Sequence, residues 1–118
     1  MAETTVASPA FWTEIEHPRP NLVVVHCHGR LVSSTDDILF DTVKELIPTT
    51  TRIVLDLKDL QHTDSMGLGT LVRLYVKAKG AGCRLELMHL NKQISNLLGL
   101  TGLFEVFAVC GENHVKFM

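Results

Sequence analysis

With 118 residues, 46% of them hydrophobic, the chain is long enough to bury one core and too short for two. A formal charge of −2 and a pI near 6.3 argue against nucleic acid as the chief partner, which would call for a basic stripe. The cysteines, Cys27, Cys83 and Cys110, are odd in number and form no Cys-x-x-Cys pair, so reduced thiols in or near the core are expected.

Met1 to Ala10 lacks periodicity and reads as a mobile leader, with 11–118 as a single domain. Phe11 to Glu16 alternates as a first strand, which Pro18 and Pro20 should break. Leu22 to His28 is almost unbroken β-former, the pattern of a strand covered on both faces, and Gly29 marks a bulge or turn before Arg30. Ser33, Ser34 and Thr35 are cap candidates for a helix from about Asp36 to Ile47, with Ile38, Leu39, Val43, Leu46 and Ile47 on its buried side and Pro48 as its stop.

Arg52 to Leu57 is β-branched and apolar, a central strand, and Thr70 to Lys79 has helical spacing. The stretch His62 to Gly69 joins the two, with Ser65 in the first helical turn and Asp64 or Thr63 as its cap. At about 100° per residue, Leu68, Leu71, Val72, Tyr75 and Val76 fall on the inner side of this helix. Met66, Thr70, Arg73 and Lys77 fall on the outer side, with Gly67 and Gly69 flanking them as places where another backbone could approach. Gly80 and Gly82 end the helix, and Cys83 to Leu90 alternates as the next strand. Asn91 caps a third helix carrying Ile94, Leu97, Leu98 and Leu100 and closed near Gly102, and Val106 to Val109 is the last strand. Strands alternating with helices in this way give an α/β fold with a small, mainly parallel sheet and an antiparallel start.

Ser65 admits three readings. A nucleophile needs a base and an oxyanion hole, and His62 is the nearest base in sequence, with no acid arranged behind it. A plain helix-start serine needs only its capping preference. A modifiable serine suits the place equally, because the free N–H groups of a first helical turn favour added negative charge. His26 and His28 share a strand face and could begin a metal site, but no third ligand stands at a recognisable spacing. Asp56 stands out in an apolar strand, where hydrogen bonds from N–H groups would satisfy it. No metal or cofactor is expected. No apolar run reaches membrane-spanning length and no secretory pattern opens the chain, so a cytoplasmic protein without membrane insertion is expected.

Four stretches, taken in order and spacing, resemble the STAS domain, the family named for sulfate transporters and anti-sigma factor antagonists. They are Ile53-Val54-Leu55-Asp56-Leu57, Thr63-Asp64-Ser65-Met66-Gly67-Leu68-Gly69, Gly80-Ala81-Gly82-Cys83-Arg84-Leu85, and Leu97 to Phe104, in register from about Asn21 to Val109. The resemblance implies helices packed mainly on one side of the sheet and a further helix after the last strand, for which Gly111 to Met118 leaves little length. In anti-sigma factor antagonists the serine at the position of Ser65 is phosphorylated by a partner kinase. The implied function is therefore binding, not catalysis: capture of an anti-sigma factor with serine kinase activity, switched off by phosphorylation of Ser65 and restored by a phosphatase. Asp64, Ser65, Met66, Gly67, Gly69, Thr70, Arg73 and Lys77 would form the docking face. Met66 departs from the family habit of a small hydroxyl residue after the serine, which should alter partner choice. Two alternatives stay open: a STAS subunit of another signalling or lipid-transport assembly without the switch, and a small serine hydrolase.

Overall fold

A computed structural model describes residues 10–102 and 108–110. The described residues form a five-stranded sheet in the order β1-β2-β3-β4-β5. Its strands are β1 (Phe11–Arg19), β2 (Leu22–Leu31), β3 (Arg52–Thr63), β4 (Arg84–Met88) and β5 (Ala108–Cys110). The first pair is antiparallel and the other three are parallel. Helices α1 (Asp36–Leu46), α2 (Ser65–Gly80) and α3 (Lys92–Thr101) supply the crossovers, and a single 3-10 turn, Ile47–Thr49, follows α1. No helix among these residues is long and apolar enough to cross a membrane.

All three helices pack on one face. Leu39 and Val43 of α1, Leu68, Leu71 and Leu74 of α2, and Ile94 and Leu98 of α3 join Val23, Val25, Ile53, Leu55 and Leu87 of the sheet in one core. Burial of these side chains contributes about 1.5–3 kcal/mol each and is the main force holding the fold. The opposite face has a smaller apolar cluster, Leu22, Val24 and Val54, with Met88 against it. Beside it Glu86, 1% exposed, is held by Arg52 at 2.8 Å and Arg84 at 2.7 Å, which compensates a carboxylate taken from water.

Several boundaries differ from the sequence expectation, each for a physical reason. β1 continues through Pro18 to Arg19, because an edge strand can spare one N–H, and the pairing register shifts between Glu16 and Arg19. β3 does not stop at Leu57. Its polar continuation pairs with the end of β2, Arg30 with His62 and Leu31 with Thr63, so cross-strand bonding extends it where hydrophobicity does not. Gly29 lies inside β2 at φ +93°, and the Ala10 carbonyl accepts from the Arg30 amide at 2.7 Å, fixing a residue assigned to the leader. Thr35 precedes α1, but its Oγ1 donates to the Arg30 carbonyl at 2.6 Å and makes no cap bond. β4 is shorter than Cys83 to Leu90, ending before His89, which has φ +60°. Leu100, assigned to the apolar face of α3, is 85% exposed. Asn91 caps α3 through a bond from the Ile94 amide at 2.8 Å, and Gly102 closes it in the left-handed conformation, both as the sequence indicates. Residues 1–9 of the leader, Val106 and Phe107 of the last strand, and the segment Gly111 to Met118 lie outside the described residues.

Candidate functional site at the start of the second helix

One residue, Asp64, separates the last residue of β3 from the first of α2. Its side chain does two jobs. Oδ1 accepts from the Gly67 amide at 2.9 Å and caps the helix, while Oδ2 accepts from the Ser33 amide at 3.2 Å and ties the helix start to the β2–α1 turn. The Gly67 hydrogen bond is the main cause holding the Asp64 carboxyl below its ordinary pKa, outweighing burial, and the Ser33 and Met66 amides add to it. An ionised oxygen pair thus stands next to Ser65, which is exposed at the first helical position.

The expected docking residues separate into two groups. Ser65, Met66, Gly69, Arg73 and Lys77 are exposed, and Asp64 is half-buried beside them. Met66 presents an apolar side chain that is 54% accessible. Gly67 and Thr70 require correction, because both are buried. A Cβ on Gly67 would lie 2.1 Å from the Leu31 carbonyl oxygen, so this glycine lets α2 sit against the end of β2 and is not open to another protein. Thr70 faces α1, where its hydroxyl donates to Asp36 Oδ2 at 2.8 Å and accepts from the Arg73 guanidinium at 3.0 Å. Arg73 is thereby drawn across α1, and its guanidinium lies 4.6 Å from the centre of the Phe40 ring.

Val76, expected on the inner side, is 62% exposed and extends the outer stripe begun by Met66 and Gly69. Sequence reasoning missed three neighbours of this surface. Ser33 and Ser34 were legible only as caps, yet their exposed turn is pinned to Asp64. Phe40 was one more apolar residue in α1, and only the crossing of the helices sets it under Arg73.

His62 directs Nδ1 at the side-chain amide of Gln93, 3.0 Å away on α3, and the same Gln93 accepts from the Thr63 amide at 3.0 Å. The nearest base in sequence is thus engaged with α3. Cys27 and Cys83 are free and buried, and burial raises both thiol pKa values, so neither is poised as a nucleophile. His26 and His28 do share a sheet face, but their ring nitrogens meet carboxylates of β1 and β3. Among the described residues no group of three or more His, Cys, Asp or Glu could hold a metal ion.

Comparison with known proteins agrees with this architecture. The family model described as STAS domain matches residues 14–116. An anti-sigma F factor antagonist of Paenibacillus polymyxa is 32% identical over 98 residues, covering 81% of this chain and 83% of that one. Among solved structures, an anti-sigma factor antagonist from Mycobacterium paratuberculosis superposes with a TM-score of 0.77 at 20% identity, covering 92% of each chain. The Bacillus cell fate determinant SpoIIAA in its phosphorylated form gives 0.68 at 17% identity, over 86% of this chain and 93% of that one. At these identities the two structures speak for the shared fold.

Proposed function

Since the chain belongs to the STAS domain family, we propose that it acts as an anti-sigma factor antagonist whose docking face is opened and closed by phosphorylation of Ser65. The observation that carries this reading is the exposure of Ser65 at the start of a capped helix, beside the ionised Asp64. Unmodified, the protein presents the Ser65 hydroxyl, the Met66 side chain, the bare backbone at Gly69 and the Arg73–Lys77 row to an anti-sigma factor. Gly69 adds weight, because a Cβ there would meet nothing within 4 Å and the fold gives no reason for a glycine. An exposed helix-interior glycine costs about 1 kcal/mol against alanine, and close approach of a partner's backbone accounts for keeping it.

Phosphorylation by that partner, acting as a serine kinase, would add about −1.5 to −2 charges next to the Asp64 carboxylate. The fold tolerates the charge, since free amides and the positive end of the helix dipole lie at this end of α2. The docked state does not, because two adjacent anions would have to be desolvated together. A phosphatase acting on phospho-Ser65 restores binding. In this reading the protein works in the cytoplasm, is a substrate and not an enzyme, and reaches transcription through other proteins and not through nucleic acid.

The test is a binding comparison with the cognate anti-sigma factor. Ser65→Ala should bind like the unmodified protein and resist inactivation by kinase and ATP, whereas Ser65→Asp should lose affinity without losing its thermal stability. Equal affinity of the two variants removes the switch.

A further inference from the structure

The sheet face away from the helices carries a chain of hydrogen bonds that the Ser65 site does not use. His26 of β2 directs Nδ1 at Asp56 Oδ2, 2.7 Å away on β3, and Nε2 at Glu16 Oε1, 2.8 Å away on β1. The other Asp56 oxygen faces His89 Nδ1 at 2.8 Å and accepts from the Lys58 amide at 3.0 Å. An ionised carboxylate can only accept, so each contact of His26 needs a hydrogen on the ring nitrogen. A neutral imidazole has one; the imidazolium has two.

We propose that His26 is a proton-operated latch on the edge strand: charged, it ties Glu16 of β1 to Asp56 of β3 across β2, and on losing its proton it keeps Asp56 and releases Glu16. The direction of release follows from burial. The Asp56 side chain is 4% exposed and would be costly to leave short of a donor, whereas Glu16 is 58% exposed and water replaces the imidazole.

The charged groups around the ring are few. Glu14, the register partner of His26, and Glu16 face it from β1, and Asp56 faces it from β3, while Asp59 lies farther along β3 against His28. His28 shares its face of β2, and His89 follows β4. The helices lie on the other side, and Glu86 is paired with Arg52 and Arg84. Burial of the ring favours its neutral form, but hydrogen bonds to Glu16 and Asp56 and their charges outweigh it and raise the pKa.

A further side-chain tie from β1 again runs to a histidine. His28 Nε2 lies 3.2 Å from Glu14, its Nδ1 3.5 Å from Asp59, and Trp12 stacks on its ring at 5.2 Å. Phe11, 1% exposed, keeps the start of β1 in the core at any pH. Release is therefore confined to the half from Glu14 to Arg19, where the register already shifts.

NMR on the full chain tests this by following the histidine ring protons and the β1 amides together from acid to mildly alkaline pH. In the wild type the His26 midpoint should lie above the ordinary value of about 6.5, and the amides from Glu14 to Arg19 should shift with the same midpoint. Glu16→Gln, at an exposed position, should move the midpoint to lower pH, and His26→Gln should abolish the coupled amide shifts. A His26 midpoint at or below the ordinary value overturns the latch, as does a midpoint indifferent to Glu16→Gln or β1 amides that ignore His26.

Discussion

Replacing Gly67 and Gly69 with alanine, one at a time, should move stability in opposite directions although the two glycines lie on the same helix two residues apart. Helix propensity alone favours alanine at both by about 1 kcal/mol. At Gly69 nothing stands within 4 Å of the new methyl group, so the full gain should appear. At Gly67 the methyl would meet the Leu31 carbonyl oxygen at 2.1 Å and Leu31 Cγ at 3.0 Å. Restoring ordinary contact requires α2 and the end of β2 to part by about 1.3 Å. That separation would also pull on the Asp64 amide bond to the same carbonyl, already 3.4 Å long. Overpacking against backbone belongs at the upper end of the usual range, about 3 kcal/mol. Less the propensity gain, Gly67→Ala should cost about 2 kcal/mol, leaving the two variants about 3 kcal/mol apart. Urea unfolding followed by circular dichroism, with a common slope for all three proteins, reads this directly. Gly67→Ala as stable as the wild type would show that α2 does not need its close seat on β2.

Thr70→Val should destabilise the protein by about 2 kcal/mol, since it removes a hydrogen bond to the carboxylate of Asp36 in a site with little access to water. Chemical denaturation checks it, and a valine variant of equal stability would mean that Asp36 finds another donor. Asp56 should contribute to the acid limb of stability. Burial raises its pKa, but hydrogen bonds from His89, the Lys58 amide and His26 outweigh that and leave it below the ordinary carboxylate value. Its stabilisation is therefore complete above the unfolded value of about 3.9 and is lost as pH falls through the lower folded value. Melting temperature against pH should drop more gently in Asp56→Asn than in the wild type, and parallel curves would count against the assignment.

Much of the region around Ser65 was legible because its signals are local. Asn91 announces itself as a cap by residue type and by the pattern that follows, and the same signals narrow the cap of α2 to Asp64 or Thr63, of which the structure uses Asp64; the exposed position of Ser65 follows from a cap at that place. Gly67 and Thr70 were misplaced because periodicity assigns a direction around one helix but does not say what stands there. The apolar pattern of β3 stops short for the related reason that polar residues such as Asp59, His62 and Thr63 carry no apolar signal, although a neighbouring strand can still pair with them.

The order of strands and helices, the helix starts and the single hydroxyl at the head of α2 were determined by the chain itself, because capping, turn preference and apolar spacing act over a few residues. Only the tertiary structure decided that Gly67 rests on Leu31, that Thr70 and Arg73 clasp α1, and that His26 bridges Glu16 and Asp56. Those contacts join residues up to 36 positions apart in the chain, and which side chains meet across such a distance depends on strand register and helix crossing, which no short stretch of sequence contains.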